Sequence, residues 1–322
     1  MLDLVVIGAG PAGLAVAIAA QQAGLACEVL EKGLLVNSIF NFPRNMVFFT
    51  TADLLEIGGL PFVTPYEKPT QWEGLKYYRR VAETYGLHVS LGHEVTSLRR
   101  ADAGFALQVK TSDGNAQRSA RNVVIATGYY DHPNLLRVPG EDRPHVHHYY
   151  TEPHPYWRQD VVVVGGKNSA AIAALELFRA GARVTLVHRG AQLADSVKYW
   201  ILPDIENRIR EGSIPARFEA RVREIGERSV VIERSSGSEE LPAQAVFLLT
   251  GYRPDASLLR EAGVNVDPDT LVPEHDLATL QTNVPGLYVA GATASGRFTS
   301  RIFIENGRFH GEAILRSVLS RS

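Results

Sequence analysis

The chain reads as an α/β protein of two doubly wound, Rossmann-like, three-layer nucleotide-binding domains, the first of them discontinuous. Three observations predict this. A strand–glycine turn–helix unit occurs twice, at Gly8-Ala9-Gly10-Pro11-Ala12-Gly13 and at Gly165-Gly166-Lys167-Asn168-Ser169-Ala170. Each unit continues through a second strand and a run of short strands, then closes on an apolar stretch ending in Thr-Gly: Val123 to Gly128 and Val246 to Gly251. Repeated order carries more weight than either glycine motif. Finally, 322 residues at 45% hydrophobic content suffice for two ordinary cores.

The first unit opens with an apolar strand, Leu2 to Ile7, followed by the glycine turn, an Ala-rich helix from Pro11 to Ala23 and a second strand ending at Glu31. An aromatic insertion, 37–80, comes next. Short strands are expected from about Glu94 to Arg121, with turn signals at Ala103-Gly104 and Asp113-Gly114-Asn115. The second unit opens with Val161 to Val164, a continuous apolar run typical of a parallel strand buried on both faces. A helix (Ser169 to Arg179), a strand (Arg183 to Val187) and a meander (about Ala216 to Glu240) follow. A last segment, Val284 to Arg321, holds a strand (Leu287 to Ala290), a glycine turn and a long helix beginning near Thr299 to Ile302. It belongs to neither unit by order and is expected to fold back onto the first. The expected boundaries are 1–128 with 254–322 for the first domain and 129–253 for the second.

The glycine turns point to dinucleotides. Gly8 allows the tight turn, Gly10 lets the backbone approach a pyrophosphate, and Gly13 permits close helix–strand packing. The helix N-terminus offers free N–H groups and partial positive charge to phosphates. Glu31 closes the second strand, where a carboxylate accepts bonds from ribose hydroxyls and would repel a 2′-phosphate. In the second turn Lys167 replaces the middle glycine, narrowing the approach but adding a phosphate-seeking ammonium. The strand after it ends in His188-Arg189 and carries no acid, which suits a 2′-phosphate. FAD in the first unit and NADPH in the second is the economical reading.

Composition narrows the partners. A net charge of −2 argues against nucleic acid or an anionic membrane, and nothing resembles a transmembrane span or signal peptide. One cysteine, Cys27, cannot form an intramolecular disulfide, and scarcity of cysteine fits a reducing compartment such as the cytoplasm. Cys27 sits in an apolar strand and reads as a small hydrophobe. His145, His147, His148 and His154 lack metal-ligand spacing and read as a polar, aromatic hinge, so no metal is expected. Tyr129-Tyr130 lie where the chain crosses between domains, either covering a flavin or packing there. Arg297 and Arg301 flank the start of the terminal helix and could meet an anionic substrate.

These pieces resemble the two-domain thioredoxin-reductase-like flavoproteins. A narrower resemblance is to the YpdA-type bacillithiol disulfide reductases. It rests on Ala126-Thr127-Gly128-Tyr129-Tyr130, His154-Pro155-Tyr156, Val164 to Ala170, Trp200-Ile201-Leu202-Pro203 and Ile302 to Gly311. In that family a lysine at the position of Lys167 is usual, and Ala292 stands where the wider superfamily has an aspartate bonding the flavin ribityl chain. Well-known members carry a cysteine inside the first turn; here the position is Ala12. The resemblance therefore implies fold and cofactors but no cysteine chemistry.

The FAD-binding set is Gly8, Gly10, Pro11, Ala12, Gly13, Glu31, Lys32, Ser38, Val95, Thr127, Gly128, Gly291, Ala292, Arg301 and Ile302. The NADPH-binding set is Gly165, Gly166, Lys167, Asn168, Ser169, His188 and Arg189. No catalytic side chain is assigned. The expected activity is NADPH-driven, FAD-dependent reduction of a low-molecular-weight disulfide, with a homodimer implied by the resemblance. Its rivals are a ferredoxin- or flavodoxin-NADP reductase, a flavin monooxygenase and a nucleotide-sensing regulator.

Overall fold

An unbroken apolar run makes β1 (Leu2–Ile7), which lies parallel between β2 (Cys27–Glu31) and the far half of a long strand, β6. Leu4, Val5 and Val6 are wholly buried, as a parallel strand covered on both faces requires. In this computed structural model, which describes residues 1–320, the first sheet runs β3-β2-β1-β6-β5-β4. The other strands on this path are β3 (Val89–Leu91), β4 (Glu94–Ala101), β5 (Gly104–Thr111) and β6 (Gly114–Ile125). The expected short strands thus end in one long one. Gly114 to Ala120 of β6 pair antiparallel with β5, and Ala120 to Ile125 then run parallel with β1 into the Thr127-Gly128 closure.

Helix α1 (Pro11–Gln22) follows β1, with proline at its start and Gly13 to Ile18 buried. The aromatic insertion holds a short α2 (Asn37–Phe40) and α3 (Gln71–Thr84). The latter begins with a capping box: Thr70 N–H donates to Glu73 Oε2 at 2.8 Å and Glu73 N–H to Thr70 Oγ1 at 3.3 Å. Its two tyrosines are structural. Tyr77 donates its hydroxyl to Leu60 O (2.8 Å) and Tyr78 to Leu55 O (2.9 Å), while Phe62 stacks on Tyr77. Each such bond holds a loop carbonyl that would otherwise lose its partner on burial.

The second sheet is parallel throughout, in the order β10-β9-β8-β14-β7. Its strands are β7 (Val146–His147), β8 (Asp160–Val164), β9 (Arg183–Val187), β10 (Ala216–Arg217) and β14 (Ala245–Leu248). Helices α4 (Asn168–Arg179) and α5 (Leu202–Arg210) belong to the same unit. The expected meander divides: Ala216-Arg217 join the parallel sheet, and β11 (Arg221–Ile225), β12 (Ser229–Arg234) and β13 (Gly237–Pro242) form a separate antiparallel sheet. Val230, Ile232 and Leu241 from it pack with Val162, Val187 and Val246 in one core.

The chain then returns to the first unit. After α6 (Ser257–Glu261), β15 (Leu287–Val289) pairs parallel with β6, Leu287 opposite Val123 and Val289 opposite Ile125. The long terminal helix is in fact two helices, α7 (Ile304–Gly307) and α8 (His310–Leu319). It starts later than expected because Asn306 accepts from Phe303 N–H (2.8 Å) and donates to Arg301 O (2.9 Å), holding 301–303 as a loop. α8 lies against α1 so closely that a Cβ on Gly311 would fall 2.5 Å from Ala15 O.

The first unit comprises Met1–Asn41, Met46–His132 and the chain from Tyr252 onward; the second comprises Pro133–Gly251 and Phe42–Asn45. That last piece leaves the first domain to which its sequence position had assigned it. Arg44 explains the difference, donating its N–H to Thr151 O (2.9 Å) and pairing its guanidinium with Glu152 (2.9 Å). Among the described residues no helix is long and apolar enough to cross a membrane.

Candidate functional site

The first turn is shaped by backbone contact. Gly8 has φ 109°, and a Cβ on it would lie 2.5 Å from Ala126 O; a Cβ on Gly13 would lie 2.0 Å from Gly8 O. Gly10 is different. Its backbone is extended with φ −74°, and an added Cβ meets nothing within 4 Å, so a cradle opens above the start of α1. That start has no side-chain cap and no acidic residue in its first turn. Gly8 N–H donates to Leu30 O (2.8 Å), which sets Glu31 beside the turn. The Glu31 carboxylate accepts Ala9 N–H at 2.9 Å and Gly33 N–H at 2.8 Å. Backbone spacing, an open cradle and a fixed carboxylate fit a dinucleotide with unmodified ribose.

Other members of the set divide in their surroundings. Lys32 pairs its ammonium with Asp131 (2.8 Å) rather than standing free. Ser38 lies in α2, whose start is tied to the turn because Val36 N–H donates to Ala9 O (3.0 Å). Val95 is buried in the core opposite Val109, next to a register shift in β4.

A second wall comes from the C-terminal segment. Gly128 N–H donates to Thr293 Oγ1 (2.9 Å), joining the Thr127-Gly128 closure to the 3-10 helix Gly291–Ser295 that contains Ala292. Gly291 has φ 62°, and a Cβ on it would stand 2.7 Å from the Ala12 methyl. A Cβ on Gly307 would stand 3.5 Å from Gly291 Cα and 3.3 Å from Ile302. Ala12, Gly291, Gly307 and Ile302 are therefore contiguous. Arg301 lays its guanidinium over the Phe298 ring at 3.9 Å, and Arg297 is exposed. His310, which the sequence offered only as part of a matched stretch, accepts Gly291 N–H at Nδ1 (3.1 Å). Burial, with His275 a lesser cause, pushes its imidazole down to about 4, so it is neutral near pH 7.

The second turn repeats the register. Gly165 (φ 155°) would place a Cβ 2.6 Å from Leu249 O, and its N–H donates to Val187 O (3.0 Å) as Gly8 does to Leu30 O. His188 therefore occupies the place of Glu31. Its ring lies directly on Gly166, where a Cβ would fall 2.3 Å from ring atoms. Burial first, then the charge of Arg189, holds its pKa below the usual histidine value. The cation beside the turn is thus Arg189, exposed and without a carboxylate within 4 Å among the described residues. Lys167 is exposed and extended (φ −118°), so it occupies the middle position without strain. Asn168 commits both ends of its amide to a neighbouring loop, donating to Ser196 O (3.1 Å) and accepting Lys198 N–H (2.9 Å). It braces that loop, while Ser169 stays exposed on the first turn of α4.

The remaining candidates are structural or solvated. Tyr130 packs its ring on Tyr252 (4.6 Å) and donates its hydroxyl to Asn41 O (3.2 Å), with Tyr129 alongside. His147 meets Tyr156 and Phe247 in an aromatic cluster, and His154 is exposed. The Cys27 thiol is pushed up to about 12 by burial and by Glu28, leaving it without thiolate character. Among the described residues no group of His, Cys, Asp and Glu could hold a metal ion.

This pair of turns places the chain in a class. Residues 5–291 match the family model described as pyridine nucleotide-disulphide oxidoreductase, which implies flavin and nicotinamide cofactors. The bacilliredoxin reductase Bdr of Bacillus subtilis (strain 168) is 43% identical over 320 residues, 98% of this chain and 97% of its own length. Two solved structures of bacillithiol disulfide reductase Bdr (YpdA) are also similar. The one from Bacillus cereus matches with TM-score 0.98 and 41% identity, covering 100% of this chain and 99% of its own. The one from Staphylococcus aureus matches with TM-score 0.94 and 38% identity over the same shares. The chain belongs to the pyridine nucleotide-disulphide oxidoreductases and, within them, to the Bdr (YpdA) family, and is an oxidoreductase of the flavin disulfide reductase type.

Proposed function

We propose that the chain is an FAD-dependent, NADPH-driven reductase of a low-molecular-weight disulfide, bacillithiol disulfide by its relatives' names. One observation carries the choice of nucleotides: two turns in the same register, with Glu31 at the decisive place in one and His188-Arg189 in the other. A carboxylate favours ribose hydroxyls and a free guanidinium favours a 2′-phosphate. Gly8 to Gly13, Glu31, Gly128 and the Gly291 turn would hold FAD; Gly165 to Lys167 and Arg189 would hold NADPH. When bound, the cofactors supply the two-electron transfer that splits a disulfide into two thiols. The protein's residues bind, orient and tune them.

With Ala12 in the first turn and the Cys27 thiol raised to about 12, no side chain of this chain serves as electron carrier. The disulfide meets the flavin directly, or a thiol brought by a small redox partner. The same reading makes the protein a cytoplasmic homodimer, supported by its cysteine usage and family resemblance. The deciding experiment is anaerobic reduction by NADPH, followed by separate addition of bacillithiol disulfide, oxidised flavodoxin and oxygen. Bacillithiol disulfide should reoxidise the flavin fastest; a faster flavodoxin or oxygen reaction replaces this reading with a rival. Alkylating the protein beforehand should leave disulfide reduction intact.

A further inference from the structure

We propose that His310 is a positioning residue for the flavin, acting through the Gly291 peptide that walls the first dinucleotide turn. The inference rests on assigning FAD to that turn and goes beyond it by naming what holds the wall in place. Gly291 is confined from both sides, by the Ala12 methyl, 2.7 Å from where its Cβ would stand, and by Gly307, whose own Cβ would lie 3.5 Å from Gly291 Cα. At φ 62° its conformation is one that other residues adopt only under strain. His310 fixes the tilt of its peptide plane by accepting Gly291 N–H at Nδ1, 3.1 Å away. This bond requires an unprotonated Nδ1, hence the tautomer with its proton on Nε2.

The acceptor is itself firmly placed. His310 opens α8, and the missing side chain at Gly311 lets α8 sit against Ala15 O of α1. α1 begins at Pro11-Ala12, the near side of the same turn. One helix pair therefore carries both the Ala12 side of the cradle and the group that orients the opposite wall. Removing the acceptor leaves the Gly291 N–H without its partner and removes the bond that holds this peptide of the cradle wall in place.

The test uses full-length protein stripped of flavin, with FAD rebinding read by flavin fluorescence and the flavin midpoint potential measured on reloaded protein. His310→Asn puts its Oδ1 where Nδ1 stands, whereas His310→Gln carries its oxygen to the Nε2 position. Both substitutions are polar and of similar bulk, so the pair separates acceptor placement from folding. The expected result is FAD affinity within threefold of wild type for His310→Asn, a loss of about tenfold or more for His310→Gln (about 1.4 kcal/mol), and a shifted potential only for His310→Gln. Equal affinity in both variants, or equal loss in both, overturns the inference while leaving the cofactor reading intact. A wild-type protein that takes up no FAD overturns both.

Discussion

The two glycine turns share a register yet differ in which glycines they need. The first position is the same in each. Gly8 and Gly165 sit at positive φ with a carbonyl just past the closing strand, Ala126 O at 2.5 Å or Leu249 O at 2.6 Å, against the place of a Cβ. At the third position the turns part. Gly13 has Gly8 O 2.0 Å from its missing Cβ, whereas the second turn holds Ala170, whose methyl stands 2.8 Å from where a Cβ on Gly165 would lie. At the middle position neither backbone demands glycine, since Gly10 and Lys167 are both extended with negative φ. One glycine answers to the strand, one to the helix, and Gly10 to whatever occupies the open cradle.

The largest expected effect breaks the third position. Gly13→Ala drives a methyl into Gly8 O and should destabilise the fold by about 3 kcal/mol or more. Ala170→Gly, at the matching place in α4, should cost about 1 kcal/mol, the ordinary helix penalty of glycine. Denaturant unfolding of the two variants measures the difference, and equal losses would refute the contrast.

Acid should probe the C-terminal wall next. His310 has its folded pKa lowered to about 4, so its contribution is full above the unfolded histidine value and is lost as pH falls from about 6.5 toward 4. The loss is up to about 3 kcal/mol, with burial the main cause of the shift and His275 a lesser one. Unfolding free energies across that window should fall less steeply for His310→Asn than for wild type.

A smaller change concerns nucleotide choice. Arg189→Ala should weaken NADPH binding by about 2 kcal/mol, the worth of a hydrogen bond to a charged group, and leave NADH binding unchanged. A parallel loss for both nucleotides would place the 2′-phosphate elsewhere. The smallest effect on the fold is at the middle position. Gly10→Ala meets open space, so unfolding should change by about 0.5 kcal/mol at most. FAD affinity should nevertheless fall about tenfold, whereas Lys167→Gly should leave the second unit's fold equally undisturbed.

Much of this was legible because backbone sterics leave marks in sequence. Gly8, Gly13 and Gly165 are where no side chain fits, and Glu31 and His188 follow at the same offset because both strands pair with the turn by one hydrogen bond. The apolar runs of β1 and β8 announced buried parallel strands. What stayed hidden depends on long-range return of the chain. His310 meets Gly291 only because β15 closes on β6 and α8 on α1. Asn168 occupied a phosphate-binding place in the motif, but a loop thirty residues on, whose Lys198 N–H it accepts, claims its side chain. The late start of α7 comes from the side-chain bonds of Asn306, which periodicity does not register.

The return of β15 to β6 also sets an order of assembly on the ribosome. The second unit has all its strands once Gly251 has emerged, and can fold while the remainder is still being made. The first unit begins synthesis earlier but finishes later: β6 lacks one neighbour, and α1 lacks α8, until the C-terminal segment arrives. During that interval the nascent first sheet presents an open strand edge, and a chain stalled after Gly251 would expose it to pairing with other chains.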